Sequence, residues 1–144
     1  MNFNDFLTMK ISDLMRRTIF TVTTDQTIQA AAHYMTEHKV GAAVVLEPGN
    51  DKVVGILTER DLMTKLVARS LDAKVMLVRE IMTYPVTTLS SNLPAAEVFS
   101  LLQARNFRHV PIVDHGKLVG MVSIKDVLET MHKIIGEVIF GEGK

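Results

Sequence analysis

Val54-Gly55-Ile56-Leu57-Thr58-Glu59-Arg60-Asp61 and Val119-Gly120-Met121-Val122-Ser123-Ile124-Lys125-Asp126 lie 65 residues apart and follow one pattern. Each runs through a short apolar stretch around a glycine, closes it with a Thr or Ser hydroxyl, and sets an aspartate three residues after that hydroxyl. The apolar stretch has the composition of a buried strand, and Ser/Thr-x-x-Asp/Glu is a helix start, so each segment predicts a strand running directly into a helix. A junction of this kind repeated at fixed spacing makes the chain a repeat protein, and the repeat decides the fold.

Upstream of the junction the offset becomes 67: Leu14-Met15 falls on Ile81-Met82, Thr21-Val22 on Thr88-Leu89, Asp25 on Asn92, Met35 on Leu102, and Val44-Val45-Leu46 on Pro111-Ile112-Val113. The two-residue difference sits in a turn, Glu47-Pro48-Gly49-Asn50-Asp51 in one copy and Asp114-His115-Gly116 in the other. Each copy first predicts a strand, at Thr21-Val22 or from Val86 to Leu89. A helix follows, capped by Asp25 or Asn92, that buries Ile28, Ala31, Ala32 and Met35, or Ala95, Val98, Phe99 and Leu102. Ala42 to Leu46 pairs with Val53 to Thr58, and His109 to Val113 with Leu118 to Ser123, as hairpins. The last helix turns inward Leu62, Leu66 and Val67 in the first copy, and Val127, Leu128, Met131, Ile134 and Ile135 in the second.

The fold class is therefore α/β in the α+β sense: two tandem β-α-β-β-α repeats at 10–69 and 77–135, packed with pseudo-twofold symmetry through their sheets. Residues 1–9 form an N-terminal extension and 136–144 a helix end and tail. One copy alone leaves an apolar sheet face open, and the second copy covers it. The joining stretch from Ser70 to Ile81 carries charges but neither Gly nor Pro, and predicts a helical connector.

Composition narrows the function classes. Apolar residues at 47% and charged residues at 22% describe an ordered globular chain. Sixteen basic residues balance sixteen acidic ones, so no global field draws the protein to nucleic acid or to an anionic membrane, and any anion site is local. There is no cysteine, hence no disulfide framework or thiolate chemistry. Met1 to Lys10 lacks a secretory pattern and no run of about 18 apolar residues occurs, which predicts a soluble, cytoplasmic protein with no membrane partner.

With Phe20-Thr21-Val22-Thr23-Thr24-Asp25, Phe107-Arg108-His109-Val110-Pro111-Ile112-Val113-Asp114 and the two strand-to-helix segments, the chain resembles a tandem pair of cystathionine β-synthase (CBS) domains, a Bateman module. The resemblance covers residues 10 to 135 and rests on motifs at matching positions in two copies. It implies a non-catalytic regulatory module, a homodimer that takes an adenosine-containing small molecule (AMP, ADP or ATP as regulatory ligand) in the clefts between repeats and acts on a downstream protein partner. It implies ribose binding by Thr58, Asp61, Ser123 and Asp126, where a helix N-terminus also suits a phosphate. Arg108, His109, Lys125 and Arg60 would bind phosphate, with Asp61 meeting Arg108, His109 and Lys125 in one cleft and Asp126 meeting Arg60 in the other. The adenine pocket would use Thr18, Ile19 and Phe20 with Ala42 and Ala43, and Pro85, Val86 and Thr87 with His109 and Val110.

Plainer readings of the same residues stand beside these. Ser/Thr-x-x-Asp is a capping box whether or not a ligand binds, exposed Arg108 and Lys125 can be solvated charges, and Ala42 and Ala43 can be core alanines. His33 and His38 are five apart on one helix and do not share a face, so they make no metal pair, and no nucleophile, base and orienter come together. Met15, Met35 and Met82 read as core. The alternative function is a ligand-independent dimerisation or protein-interaction module, for which Met131, Ile134, Ile135, Val138 and Ile139 offer an apolar helix stripe. An aromatic content of 6% with zero net charge argues against single-stranded nucleic-acid binding.

Overall fold

The structure, a computed structural model, describes residues 3–105 and 108–140. Phe107 of the second-copy motif and Gly141 to Gly143 lie outside the described residues. The chain divides into two compact units, one of Thr18–Val86 and one of Met1–Arg17 with Thr87–Lys144.

In the Thr18–Val86 unit, β1 (Thr21–Thr23) runs parallel to β2 (Ala42–Leu46), which pairs antiparallel with β3 (Val53–Thr58). Between β1 and β2, one α-helix (Ile28–Glu37) buries Ile28, Ala31 and Met35, while Ala32 is only half-buried. Its N-cap is Thr27, whose hydroxyl accepts from the Ala30 amide; Asp25, two residues too early, accepts instead from the Thr23 hydroxyl. After β3 the chain makes one helical turn (Glu59–Asp61) and widens into a π-helical run, Leu62–Val67. A π-helix closes wider turns than an α-helix, so the inward phase slips: Leu66 is buried, but Val67, predicted inward, is exposed.

The connector is mostly turn. Ser70 takes a left-handed backbone, the Asp72 carboxylate accepts from the Lys74 amide, and only Val78–Ile81 is helical. It is tied back by Ile28 N–H to Met76 O (2.9 Å) and Val78 N–H to Gln26 O (2.9 Å). A short polar side chain competing for backbone donors explains why a stretch free of Gly and Pro still turns.

The other unit repeats the plan with a shorter first strand. β4 (His109–Asp114) pairs antiparallel with β5 (Lys117–Ser123). Val86 to Leu89, predicted as a strand, contributes one parallel bridge, Leu89 to Ile112. The helix Ala96–Arg105 begins four residues beyond Asn92, which accepts from the Ser90 hydroxyl rather than capping it. Ala95 and Val98 are buried, and Phe99 and Leu102 pack half-buried against that core. His115 and Gly116 both have positive φ, the backbone of a two-residue hairpin turn. Register shifts fall between Val45 and Leu46 and between Ile112 and Val113, the same place in both copies.

Each copy's lead-in segment belongs to the other unit. Arg16 and Met121 exchange backbone bonds of 2.9 and 3.0 Å, and Thr83 and Ile56 exchange bonds of 2.8 and 3.1 Å. Gly120 and Gly55 permit this approach, since a Cβ on Gly120 would stand 3.0 Å from the Arg16 carbonyl and one on Gly55 would stand 2.9 Å from that of Thr83. Met15 and Ile11 are buried in one core, Ile81 and Val78 in the other.

The closing helix, Ile124–Phe140, is far longer than its counterpart. Val127 and Ile134 are buried, but Leu128, Met131 and Ile135, predicted inward, are exposed along with Ile124 and Ile139. Spaced i, i+4, i+7, i+11 and i+15, these five form one apolar stripe facing away from the core. The side chain of Val138 lies outside what the structure describes. Among the described residues no helix is long and apolar enough to cross a membrane.

Candidate functional site

Both strand-to-helix junctions fold as capping boxes. At the first, the Asp61 amide donates to Thr58 Oγ1 (3.1 Å), while the Thr58 amide and hydroxyl both donate to Asp61 Oδ2 (3.0 Å each). At the second, the Asp126 amide donates to Ser123 Oγ (3.3 Å), and the Ser123 amide and hydroxyl donate to Asp126 Oδ2 at 2.8 and 2.9 Å. Asp61 and Asp126 are 4% and 6% exposed, so each carboxylate depends on its hydrogen bonds. Thr58, Asp61, Ser123 and Asp126 thus serve the cap, and what else each carboxylate can accept depends on Oδ1.

Asp61 Oδ1 is fully engaged. It accepts from Thr83 Oγ1 at 2.9 Å and from Lys65 Nζ at 2.8 Å. Lys65 places its remaining two N–H groups on Ile81 O (3.2 Å) and Thr83 Oγ1 (3.3 Å). Two lone pairs on each oxygen and three protons on the ammonium are then all matched.

Asp126 Oδ1 accepts only from Arg16 Nε, at 2.6 Å, and keeps one acceptor position open among the described residues. Arg16 is 55% exposed, and neither of its terminal Nη groups has a hydrogen-bond partner among the described residues. Its pKa is raised, first by the hydrogen bond to Asp126 and then by that carboxylate's charge. Arg16 and Thr83 are equivalent under the 67-residue offset, so one position supplies a neutral hydroxyl in one unit and a guanidinium in the other.

Neighbouring residues widen the contrast. Arg108 is exposed, and its carbonyl accepts from the Ile124 amide at 2.9 Å; His109 pairs across the ladder with Ser123, and Lys125 is exposed on the first turn of the long helix. These three predicted phosphate ligands belong to the unit of Asp126, whereas Asp61 and exposed Arg60 belong to the other. The cation on Asp126 within its own unit is Arg16, a residue that sequence reasoning does not assign to it. In the first copy the places of Arg108 and Ile124 are taken by Gly41 and Glu59, and the Glu59 carboxyl carbon lies 3.1 Å from where a Gly41 Cβ would be.

The adenine-pocket residues divide. Thr18 is exposed, and Ile19, Phe20 and Ala42 are half-buried. The Phe20 carbonyl accepts from the Val44 amide at 2.9 Å, and its ring packs against Tyr34 and His38, with centroids 6.5 and 5.2 Å away. Ala43 and Val110 have no exposed surface and are core residues. Pro85 is exposed, and Val86 and Thr87 are half-buried. His33 pairs with Glu37 (3.0 Å), and His38 Nδ1 lies 2.8 Å from Tyr34 O. Among the described residues no group of His, Cys, Asp and Glu could hold a metal ion.

Sequence reasoning passed over Arg16, Lys65 and Thr83. The i, i+4 spacing of Asp61 and Lys65 was a readable signal. The offset that aligns Arg16 with Thr83 was another, though the exchange of lead-in segments that brings each to a carboxylate was not.

The CBS domain family model matches residues 11–68 and 78–133. An uncharacterized protein of Methanopyrus kandleri is 33% identical over 122 residues, which is 84% of this chain but 62% of that protein, so this chain spans less than two thirds of it. A protein with CBS domains from Burkholderia ambifaria is 32% identical, with a TM-score of 0.78 over 85% of this chain and 93% of that one. The hexameric CBS-CP12 protein of bloom-forming cyanobacteria is 27% identical, with a TM-score of 0.77 over 85% of this chain and 67% of that one.

Proposed function

Because the chain belongs to the CBS-domain family, with repeats at 11–68 and 78–133, we propose that it is a non-catalytic regulatory module that binds an adenine nucleotide, AMP, ADP or ATP. CBS-domain proteins are regulatory modules, and the nucleotide is the ligand class this chain's own residues favour. The observation that carries the reading is the junction at Ser123. A buried carboxylate with an acceptor position open stands there beside Arg16, and the backbone brings Arg108 and Lys125 to the same junction. Hydroxyls of a ribose need an acceptor of this kind, and phosphates need cations of this kind. Signalling requires the nucleotide to favour one arrangement of the protein over another, so its output is a shift in population.

Ligand binding to the native state raises the melting temperature, so a thermal-shift panel of AMP, ADP, ATP and GTP tests the reading. Adenine nucleotides are expected to shift the transition and GTP to shift it less. No shift with any adenosine compound rejects nucleotide sensing.

A second reading is favoured by the stripe of Ile124, Leu128, Met131, Ile135 and Ile139: self-association as a homodimer through the long helix. Leu128→Glu with Ile135→Glu is expected to convert the dimer to monomer in native mass spectrometry. A parent that is already monomeric rejects this reading and leaves nucleotide binding untouched.

A further inference from the structure

We infer that the two repeats are unequal ligand sites, that the one which accepts a phosphorylated ribose is built on Asp126, and that Arg16 is its phosphate-selecting residue. The inference rests on the nucleotide reading and deepens it. The two capping boxes and burials are alike, so neither separates the sites. What separates them is the state of the second oxygen.

At Asp61 every acceptor and donor is matched: Thr58 N–H, Thr58 Oγ1–H, Thr83 Oγ1–H and Lys65 on the carboxylate, and Asp61, Thr83 and Ile81 on Lys65. A hydroxyl that binds there must break a charge-assisted bond that is already made, and the displaced group must find another partner at the edge of a core. A phosphate brought to the same junction also meets the Glu59 carboxylate over Gly41. The first repeat's network is closed, and its electrostatics oppose an anion.

At Asp126 one acceptor position is open, so a ribose hydroxyl adds a bond without removing one. Arg16 is held by its Nε and presents the planar Nη pair, which suits two phosphate oxygens. Because Asp126 fixes the guanidinium, less side-chain freedom is lost on binding than a loose surface arginine would lose. Arg16 therefore discriminates between phosphorylated and unphosphorylated nucleosides, and the lead-in segment that carries it becomes part of the ligand site.

Calorimetric titration of the whole chain with AMP and with adenosine, in the parent and three variants, tests this. The parent is expected to take one AMP per chain. Asp126→Asn is expected to weaken AMP by roughly tenfold or more, the worth of a hydrogen bond to a charged group. Arg16→Gln is expected to weaken AMP by about tenfold while leaving adenosine within about twofold, since adenosine brings no phosphate. A tenfold loss in Asp61→Asn with Asp126→Asn unaffected, two equal sites in the parent, or equal weakening of AMP and adenosine by Arg16→Gln overturns the inference while the nucleotide reading stands. A parent that binds neither compound nor ATP overturns both. Should Asp126→Asn fail to fold, the AMP-to-adenosine ratio in Arg16→Gln still decides.

Discussion

The junctions at Thr58 and Ser123 use one backbone device and end with opposite chemistry. Each is a strand running into a helix through a capping box on a buried aspartate. In one, Thr83 and Lys65 saturate the carboxylate, and in the other, Arg16 leaves it an open position and adds unmatched donors. The difference comes from the identity of a single lead-in residue, together with a lysine one turn along one helix. A duplicated motif is thus a statement about helix initiation, and whether it also binds a ligand is decided by residues outside it.

If the first network is structural, breaking it costs the most. Asp61→Ala removes the carboxylate half of the capping box, while Thr58 Oγ1 still accepts from the amide of residue 61, and leaves the Lys65 ammonium, 39% exposed, without its carboxylate; a loss of about 3 kcal/mol in urea unfolding is expected. A loss below that of Asp126→Ala would show that the Asp61 network is not the more structural of the two. The two glycines come next: Gly55→Ala and Gly120→Ala push a methyl against Thr83 O or Arg16 O and are expected to cost about 2 kcal/mol each by overpacking. Unequal costs would show that the two lead-in segments are not held alike. Asp126→Ala loses the same half of its capping box but releases an exposed arginine that water can solvate, and about 1.5 kcal/mol is expected.

The smallest effect concerns Asp114, in the unit of Arg16. Its pKa is lowered, first by the Ser91 hydroxyl and then by the Ser91 amide, with the Ser90 hydroxyl adding to them. A depressed carboxylate pKa gives stability that is present above the unfolded-state value and fades as pH falls through the folded-state value. Ser91→Ala should therefore lower stability at neutral pH and flatten the acid limb, with parent and variant converging as pH falls below the folded-state value. An unaltered acid limb would remove Asp114 from the account.

The sequence carried the repeat, both hairpins and both capping boxes, because these rest on local patterns that survive duplication. Val86 to Leu89 misled because a Thr- and Val-rich stretch has strand propensity whether or not a partner lies alongside for its whole length. Asp25 and Asn92 misled because Asx residues cap turns as readily as helices, and here they serve the turns before the helices. Leu128, Met131 and Ile135 misled because apolar spacing identifies a helix face without saying what the face meets. Arg16 and Thr83 were hidden for a different reason: each acts in the unit opposite to its own repeat, a consequence of topology that no local pattern encodes.

The most direct test is a crystal structure of the chain grown with AMP. The expected result is a ribose hydroxyl on Asp126 Oδ1, the phosphate on the Arg16 Nη groups, and Lys65 and Thr83 still on Asp61. Ribose on Asp61 with Lys65 displaced, and Asp126 bound to Arg16 alone, would contradict the account.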